Sequence, residues 1–168
     1  MSSGFETLNL HPQLKQAIDA LGFKEMTPIQ QKVLRYTLAG HDAIGRAQTG
    51  TGKTAAFLVS VMNDLLSNPI QEQRYRGEPR ALILAPTREL ALQIESDAKE
   101  LNKFSNLHIV TLLGGVDSDK QKAQLNKDFV DIIVATPGRL IDLVEQKEVW
   151  LDQIEFLVID EADRLLDM

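Results

Sequence analysis

The sequence has 168 residues and a net charge of −6, with 43% hydrophobic residues, 25% charged residues and no cysteine. This composition is that of one folded globular domain and not of a disordered segment. Without cysteine there is no disulfide framework or thiolate site, and no apolar run reaches the roughly 20 residues needed to span a bilayer. The first residues have no signal-peptide pattern, so a cytoplasmic protein without a membrane partner is expected. The acidic balance excludes a polybasic binder but allows phosphate contacts at a few defined points.

Two helices are predicted in the first forty residues. Apolar residues between positions 8 and 21 fall at helical spacing, and Gly22 follows them as a helix-ending glycine does. A second helix is predicted to begin at Thr27, with Pro28 at the first helical position. Gln30 stands where a capping box places Glu or Gln, so this residue has a structural role available to it.

Beyond Gly40 short apolar runs alternate with amphipathic segments. Strands that are apolar on both faces and joined by helices predict a parallel sheet covered by helices, so the fold class is α/β. Residues 67–80 are mostly polar and contain proline and glycine, which predicts a surface loop. The predicted strands are residues 42–45, 81–85, 109–113, 132–135 and 156–159, and two helical stripes lie within residues 57–65 and 90–101.

A glycine-rich segment between a predicted strand and a predicted helix has the pattern of a phosphate-binding loop. Its glycines let backbone amides turn towards phosphate oxygens, its lysine reaches the β and γ oxygens, and the following threonine ligates Mg²⁺. The general pattern begins with glycine, and here that position is alanine. A glycine-rich turn with an unrelated lysine is the alternative. The segment consists of Ala47, Gln48, Thr49, Gly50, Thr51, Gly52, Lys53 and Thr54.

Two carboxylates, Asp160 and Glu161, follow the last predicted strand. The carboxyl end of a buried parallel strand is where open α/β sheets bind ligands. In that position Asp160 is a candidate partner of Mg²⁺, and Glu161 is a candidate to orient or deprotonate an attacking water. An acidic helix start is the alternative, because Asp and Glu are favoured in a first turn. The lysine-containing loop upstream favours the catalytic interpretation.

Six motifs, in this order and spacing, resemble those of the first domain of a DEAD-box RNA helicase. They extend over nearly the whole chain, and this family commonly begins its phosphate loop with alanine. The resemblance implies a RecA-like three-layer fold with a mostly parallel central sheet flanked by helices. It also implies that residues 1–168 form most of the ATP-binding domain. The motifs are residues 22–30, 47–54, 86–90, 114–115, 136–139 and 160–163.

The resemblance further implies an adenine-recognition segment at residues 5–30. In it Gln30 reads the adenine edge through its side-chain amide, Phe23 stacks on the base and Phe5 supports the pocket. Helix capping by Gln30 and a core role for both phenylalanines are the alternatives. The implied cofactors are ATP and Mg²⁺. By the same resemblance the catalytic residues are Lys53, Asp160 and Glu161, and the metal ligands are Thr54 and Asp160.

A second group of motif residues resembles the positions that hold RNA phosphates and sugars. A helix start with a threonine and an adjacent arginine binds phosphate without reading the base sequence. Plain helix capping by Thr136 before Pro137 is an alternative, and the two roles are compatible. The candidate RNA-binding residues are Pro86, Thr87, Arg88, Gly115, Thr136 and Arg139.

The function implied by the resemblance is that of an ATP-dependent RNA helicase, in which RNA-stimulated ATP hydrolysis separates a short RNA duplex. By the family pattern a second helicase domain and one central strand are missing, so these 168 residues alone are expected to be inactive and prone to associate. Another phosphate-loop translocase and a non-catalytic module that binds RNA or nucleotide are the alternatives. RNA is the expected partner. Residues 114–115, 119–121 and 139–142 most resemble those of bacterial members that assist RNA decay, so RNA-decay proteins are further expected partners.

Nucleotide choice tests the adenine-recognition segment. If Gln30 reads adenine, ATP and ADP bind in preference to GTP, because the amide both donates to and accepts from one edge of the base. Gln30→Ala is then expected to remove the preference. Titration of the intact first domain with each nucleotide measures it, and equal affinity of the unaltered protein for GTP would show that this role is wrong.

Overall fold

The structure is a computed structural model that describes residues 8–22 and 53–161. The predicted helix at Thr27 and the predicted strand at residues 42–45 lie outside them. In the described part, the helices are α1 (Pro12–Ala20), α2 (Lys53–Ser67), α3 (Arg88–Leu101), α4 (Ser118–Lys127) and α5 (Pro137–Glu145), and the strands are β1 (Ala81–Leu84), β2 (Ile109–Leu112), β3 (Ile132–Ala135) and β4 (Phe156–Ile159).

Helix α1 begins later than the hydrophobic pattern indicates. Pro12 occupies its first turn, and His11 Nδ1 accepts a hydrogen bond of 3.2 Å from the backbone N–H of Gln13, so the cap fixes the start. The end agrees with the prediction, because Gly22 has a φ of +76°, which glycine adopts without steric cost. The backbone N–H of His11 also donates to Asn63 Oδ1 of α2 over 2.7 Å, which joins the two helices.

The chain divides into two compact units. One contains α1, α2 and the end of α3, and the other contains the sheet, most of α3, α4 and α5. The predicted helical stripes are confirmed, although Phe57 and Leu90 are only partly buried. None of the helices in the described part of the chain is long and apolar enough to cross a membrane. The buried stripe residues are Leu58, Val61, Met62 and Leu65 in α2 and Ala91, Ile94, Ala98 and Leu101 in α3.

All four described strands are parallel and lie in the order β2-β3-β1-β4. Each connection between consecutive strands contains one helix, as parallel pairing requires. The predicted α/β class with a parallel, RecA-like sheet is therefore confirmed. Leu84 pairs with both Ala135 and Ile159, and Leu112 also pairs with Ala135. This register ends all four strands at one level.

Burial follows the position of each strand in the sheet. Strand β3 is buried at every residue and β1 at three of four, which is why their sequences are apolar on both faces. Strand β4 lies at one end of the described sheet, and its side chains Leu157 and Ile159 are 57% and 45% exposed within the described part of the chain. The core on one face consists of Leu82, Val110, Leu112, Ile133 and Ala135 of the sheet, Leu125 of α4, Leu140 and Leu143 of α5, and the loop residues Val130 and Val149.

The predicted surface loop before β1 has no regular element, but its end is anchored by buried charges. Arg80 is 4% exposed and donates to the Glu155 carboxylate over 2.6 and 3.3 Å. Asp131 accepts from Arg74 Nη1 over 3.0 Å and from the backbone N–H of His108 over 2.8 Å. These groups lie at the amino ends of the strands, and their hydrogen bonds satisfy one another. The charged network at this edge is therefore structural.

The pair of Arg80, which is buried, and Glu155, which is exposed, predicts a difference in stability. Arg80→Ala is expected to lower the free energy of unfolding by about 2 kcal/mol, because it removes two charge-assisted hydrogen bonds and the packing of a buried side chain. Arg76→Ala is the matched control, since its partner Asp128 is 70% exposed and 3.5 Å away. In the Arg76→Ala control the free energy of unfolding should fall by about 1 kcal/mol or less. Urea unfolding measures both variants, and equal losses would contradict the assignment.

Candidate nucleic-acid interface

The common level of the strand ends brings four segments to one edge of the sheet. In sheet order they are residues 113–115 after β2, Thr136 after β3, residues 85–87 after β1 and Asp160 after β4. Neighbouring strands lie about 4.8 Å apart, so the ends of β2, β3 and β1 extend over about 10 Å. The candidate RNA-binding residues thus come from three adjacent strands, and the candidate catalytic carboxylates come from the fourth.

The segment after β1 carries Thr87 and Arg88. Thr87 Oγ1 accepts from the backbone N–H of Leu90 over 3.2 Å and so caps α3, while the hydroxyl hydrogen can still donate to a phosphate. Arg88 is exposed, and its guanidinium lies against Gly115, where a β-carbon would be 3.0 Å from Nη1. Pro86 is buried behind them. The structure therefore brings Arg88 and Gly115 together.

Helix α5 begins without a side-chain cap. Thr136 holds the N-cap position in an extended conformation, but its side chain makes no capping hydrogen bond, so the capping role is confirmed for the position and not for the hydroxyl. The first-turn N–H groups of Gly138 and Arg139 have no acceptor inside the helix. A β-carbon at Gly138 would meet no atom within 4 Å. This helix start, with its partial positive charge, is open to an anion.

Arg139 is held differently from Arg88. Its side chain is 13% exposed, and Nη1 donates to Val116 O and to Gln121 Oε1, each over 3.0 Å. Its Nε lies 3.8 Å from Asp142 Oδ2. Both N–H bonds of Nη1 are thus directed into the protein, which leaves Nη2 as the nitrogen best placed for a phosphate. This internal role of Arg139 was not predicted from the sequence.

Gln121 also contributes to this edge, although it belongs to none of the six motifs. It lies in α4, is 5% exposed, and donates from Nε2 to Leu113 O over 3.0 Å while its Oε1 accepts from Arg139. The signal available in the sequence is its spacing. Gln121 is four residues before the buried Leu125 and so lies on the core-facing side of α4, where an amide needs buried partners.

The acidic pair lies in a turn directly after β4. Asp160 is 5% exposed, and its backbone N–H donates to Leu84 O over 3.0 Å, which extends the pairing of β4 with β1 by one residue. Glu161 has a φ of +51°, in the left-handed region that residues with side chains rarely adopt. Such a conformation costs of order 1–3 kcal/mol and is concentrated at functional sites.

The nucleotide side of the predicted site lies mostly outside the described residues. Phe5, Phe23, Gln30 and residues 47–52 are not among them, and Lys53 and Thr54 are described only as the first residues of α2. Within residues 8–22 and 55–161 there is no group of three or more His, Cys, Asp or Glu side chains that could hold a metal ion. The described site therefore consists of the candidate RNA contacts and the acidic pair.

A parallel α/β sheet with a carboxylate pair and an uncapped helix start at its carboxyl edge is typical of α/β proteins that bind phosphate-containing ligands. The sequence pattern of the DEAD/DEAH box helicases matches residues 27–168, which is most of the chain. The chain belongs to the DEAD/DEAH box helicase family.

Curated relatives of the chain are bacterial proteins named ATP-dependent RNA helicase RhlB. The chain is 58% identical to that of Pseudomonas aeruginosa (strain UCBPP-PA14), 56% identical to that of Pseudomonas putida and 49% identical to that of Erwinia tasmaniensis. Each match covers 98% of this chain. The chain spans 41% of the length of the two Pseudomonas proteins and 38% of the Erwinia protein.

The exposed position of Arg88 predicts a contact with the RNA backbone that does not depend on sequence. Arg88→Ala is expected to weaken binding of single-stranded RNA about tenfold, equally for different base sequences, and to lower the salt dependence of binding by about one phosphate contact. Arg76→Ala removes the same charge at the opposite edge and should leave affinity unchanged. Fluorescence anisotropy at several salt concentrations measures both, and a loss that varies strongly with sequence would show that Arg88 reads bases.

Proposed function

We propose that this chain is most of the ATP-binding domain, residues 1–168, of an ATP-dependent RNA helicase that acts together with a second helicase domain. One observation carries the proposal: the common end of the parallel strands brings the candidate RNA contacts of β1, β2 and β3 beside the acidic pair that follows β4. Family membership and relatives named as RNA helicases support the same activity.

RNA is bound through its backbone in this proposal. The proposed contacts are hydrogen-bond donors, and phosphate and ribose oxygens are acceptors. The donors are the hydroxyl of Thr136, the N–H groups of Gly138 and Arg139, and the guanidinium of Arg88. The described edge presents no row of aromatic side chains on which bases could stack. Binding is therefore independent of base sequence, although the chain carries a net charge of −6.

ATP and Mg²⁺ are the cofactors of the proposed reaction. Lys53 and the amides of residues 47–52 would hold the phosphates, Thr54 and Asp160 would hold the metal ion, and Gln30, Phe23 and Phe5 would hold the adenine. Asp160 fits its role because it is a buried hard-oxygen donor at the carboxyl edge, and Mg²⁺ in phosphate sites uses only one or two carboxylates. When bound, Mg²⁺ would supply positive charge against the phosphate oxygens. Glu161 orients the attacking water and accepts its proton.

The proposed coupling between ATP and RNA uses the neighbouring strands β4 and β1. The Asp160 N–H is bonded to Leu84 O, and the chain continues from Leu84 to the RNA contacts at Thr87 and Arg88 within four residues. This backbone hydrogen bond and the short segment are the route that we propose for coupling a shift of the acidic turn to the RNA contacts. A cytoplasmic location and partners among RNA-decay proteins complete the proposal.

Two substitutions in the full-length protein separate binding from chemistry. Lys53→Ala should abolish nucleotide binding, because the cation that offsets the phosphate charge is lost. Glu161→Gln should retain binding but lower RNA-stimulated ATP turnover at least about 100-fold, because only the positioned base is removed. Nucleotide titration and phosphate release measure the two effects.

Glu145→Gln is the matched control for Glu161→Gln, because it removes the same charge from an exposed residue at the end of α5. It should leave turnover unchanged. Full turnover in the Glu161→Gln variant would contradict the assigned role. Stimulation of the unaltered protein by DNA and not by RNA would favour another translocase, and nucleotide binding without any turnover would favour a non-catalytic binding module.

A further inference from the structure

Gln121 is a buried amide whose hydrogen bonds point to a role beyond packing. It is 5% exposed in α4, one helical turn from Leu125, which is fully buried in the core. A leucine of similar size would fill such a position without the cost of burying a polar group. The presence of a buried amide here is therefore accounted for by the groups that its two ends bind.

Both ends of the Gln121 amide bind groups at the carboxyl edge of the sheet, which carries the candidate RNA contacts and is called the RNA edge below. Nε2 donates to Leu113 O, and Oε1 accepts from Arg139 Nη1, each over 3.0 Å. The same Nη1 donates to Val116 O over 3.0 Å. The carbonyls of Leu113 and Val116 flank the turn formed by residues 114–115, so Gln121 and Arg139 together hold that turn from both sides.

The conformation of this turn affects the position of Arg88 at the RNA edge. Gly115 has a φ of +76°, and its α-carbon faces the guanidinium of Arg88 so closely that a β-carbon would lie 3.0 Å from Nη1. A change in the turn would therefore displace Arg88. At the other end of the network, Arg139 is the third residue of α5, beside the open helix start at Gly138.

We propose that Gln121 is a positioning residue for the RNA backbone site, holding the turn of residues 114–115 and the guanidinium of Arg139 in the conformation that binds phosphate. This inference rests on the proposed function, because it concerns the same RNA edge. Gln121 itself touches no phosphate; it acts through Arg139 and the turn.

The test uses the full-length protein, a fluorescein-labelled single-stranded RNA oligonucleotide and a non-hydrolysable ATP analogue. Gln121→Leu keeps the volume and removes both hydrogen bonds. It should weaken RNA binding about tenfold and raise the RNA concentration for half-maximal ATP turnover to the same extent. The turnover at saturating RNA and the KM for ATP should stay within about twofold of the unaltered protein, since the nucleotide residues are untouched.

A matched control separates positioning from general destabilisation. Leu125→Ala lies on the same face of α4 and leaves a cavity in the core, so it lowers the unfolding temperature without removing a hydrogen bond of the turn. RNA affinity should be unchanged in this variant below its unfolding temperature. An equal loss of RNA affinity in Leu125→Ala and Gln121→Leu would overturn the proposal.

The combination with Arg139→Ala tests the route of action. If Gln121 acts through Arg139, the double variant should bind RNA no more than about twofold more weakly than Arg139→Ala alone, whereas independent effects would multiply. Multiplying effects, or unchanged RNA affinity in Gln121→Leu while Arg88→Ala and Arg139→Ala weaken it, would overturn the positioning role. Unchanged affinity in both arginine variants would instead overturn the proposed RNA edge itself.

Discussion

The parallel register of β2-β3-β1-β4 is the constraint on which the site depends. Because Leu84, Leu112, Ala135 and Ile159 lie at one level, every segment that leaves a strand begins at the same edge. The register is fixed in turn by burial: β3 has no exposed side chain on either face, so a shift by one residue would break both layers of packing. Site geometry at the carboxyl edge is thus a consequence of core packing in the two central strands.

The two edges of the sheet use charge in different ways. At the amino edge Arg80, Arg74, Glu155 and Asp131 are paired with one another, and their hydrogen bonds tie the loop before β1 to the ends of β3 and β4. At the carboxyl edge Arg88 is exposed, the start of α5 has no side-chain cap, and Glu161 adopts a strained conformation. Satisfied polar groups stabilise the fold, whereas unsatisfied donors and local strain are typical of ligand sites.

Much of this arrangement is predictable from local sequence, and the remainder depends on tertiary contacts. The limits of β3 and β4 follow from apolar runs bounded by polar residues, and the end of α1 follows from Gly22. The start of α1 was predicted too early, because hydrophobic spacing continues past the cap that His11 provides. The hydrogen bonds of Gln121 and Arg139 are not predictable from the sequence, because their partners Leu113 O and Val116 O are backbone groups of another segment, whose approach no sequence pattern records.

Amide hydrogen exchange of the full-length protein, with and without single-stranded RNA in the presence of a non-hydrolysable ATP analogue, tests the central claim most directly. Binding of the RNA backbone at the carboxyl edge predicts slower exchange in residues 114–116 and 138–139, where open N–H groups gain phosphate acceptors. Residues 70–80, at the amino edge, should exchange at an unchanged rate. Protection confined to residues 70–80, with none at the carboxyl edge, would contradict the account.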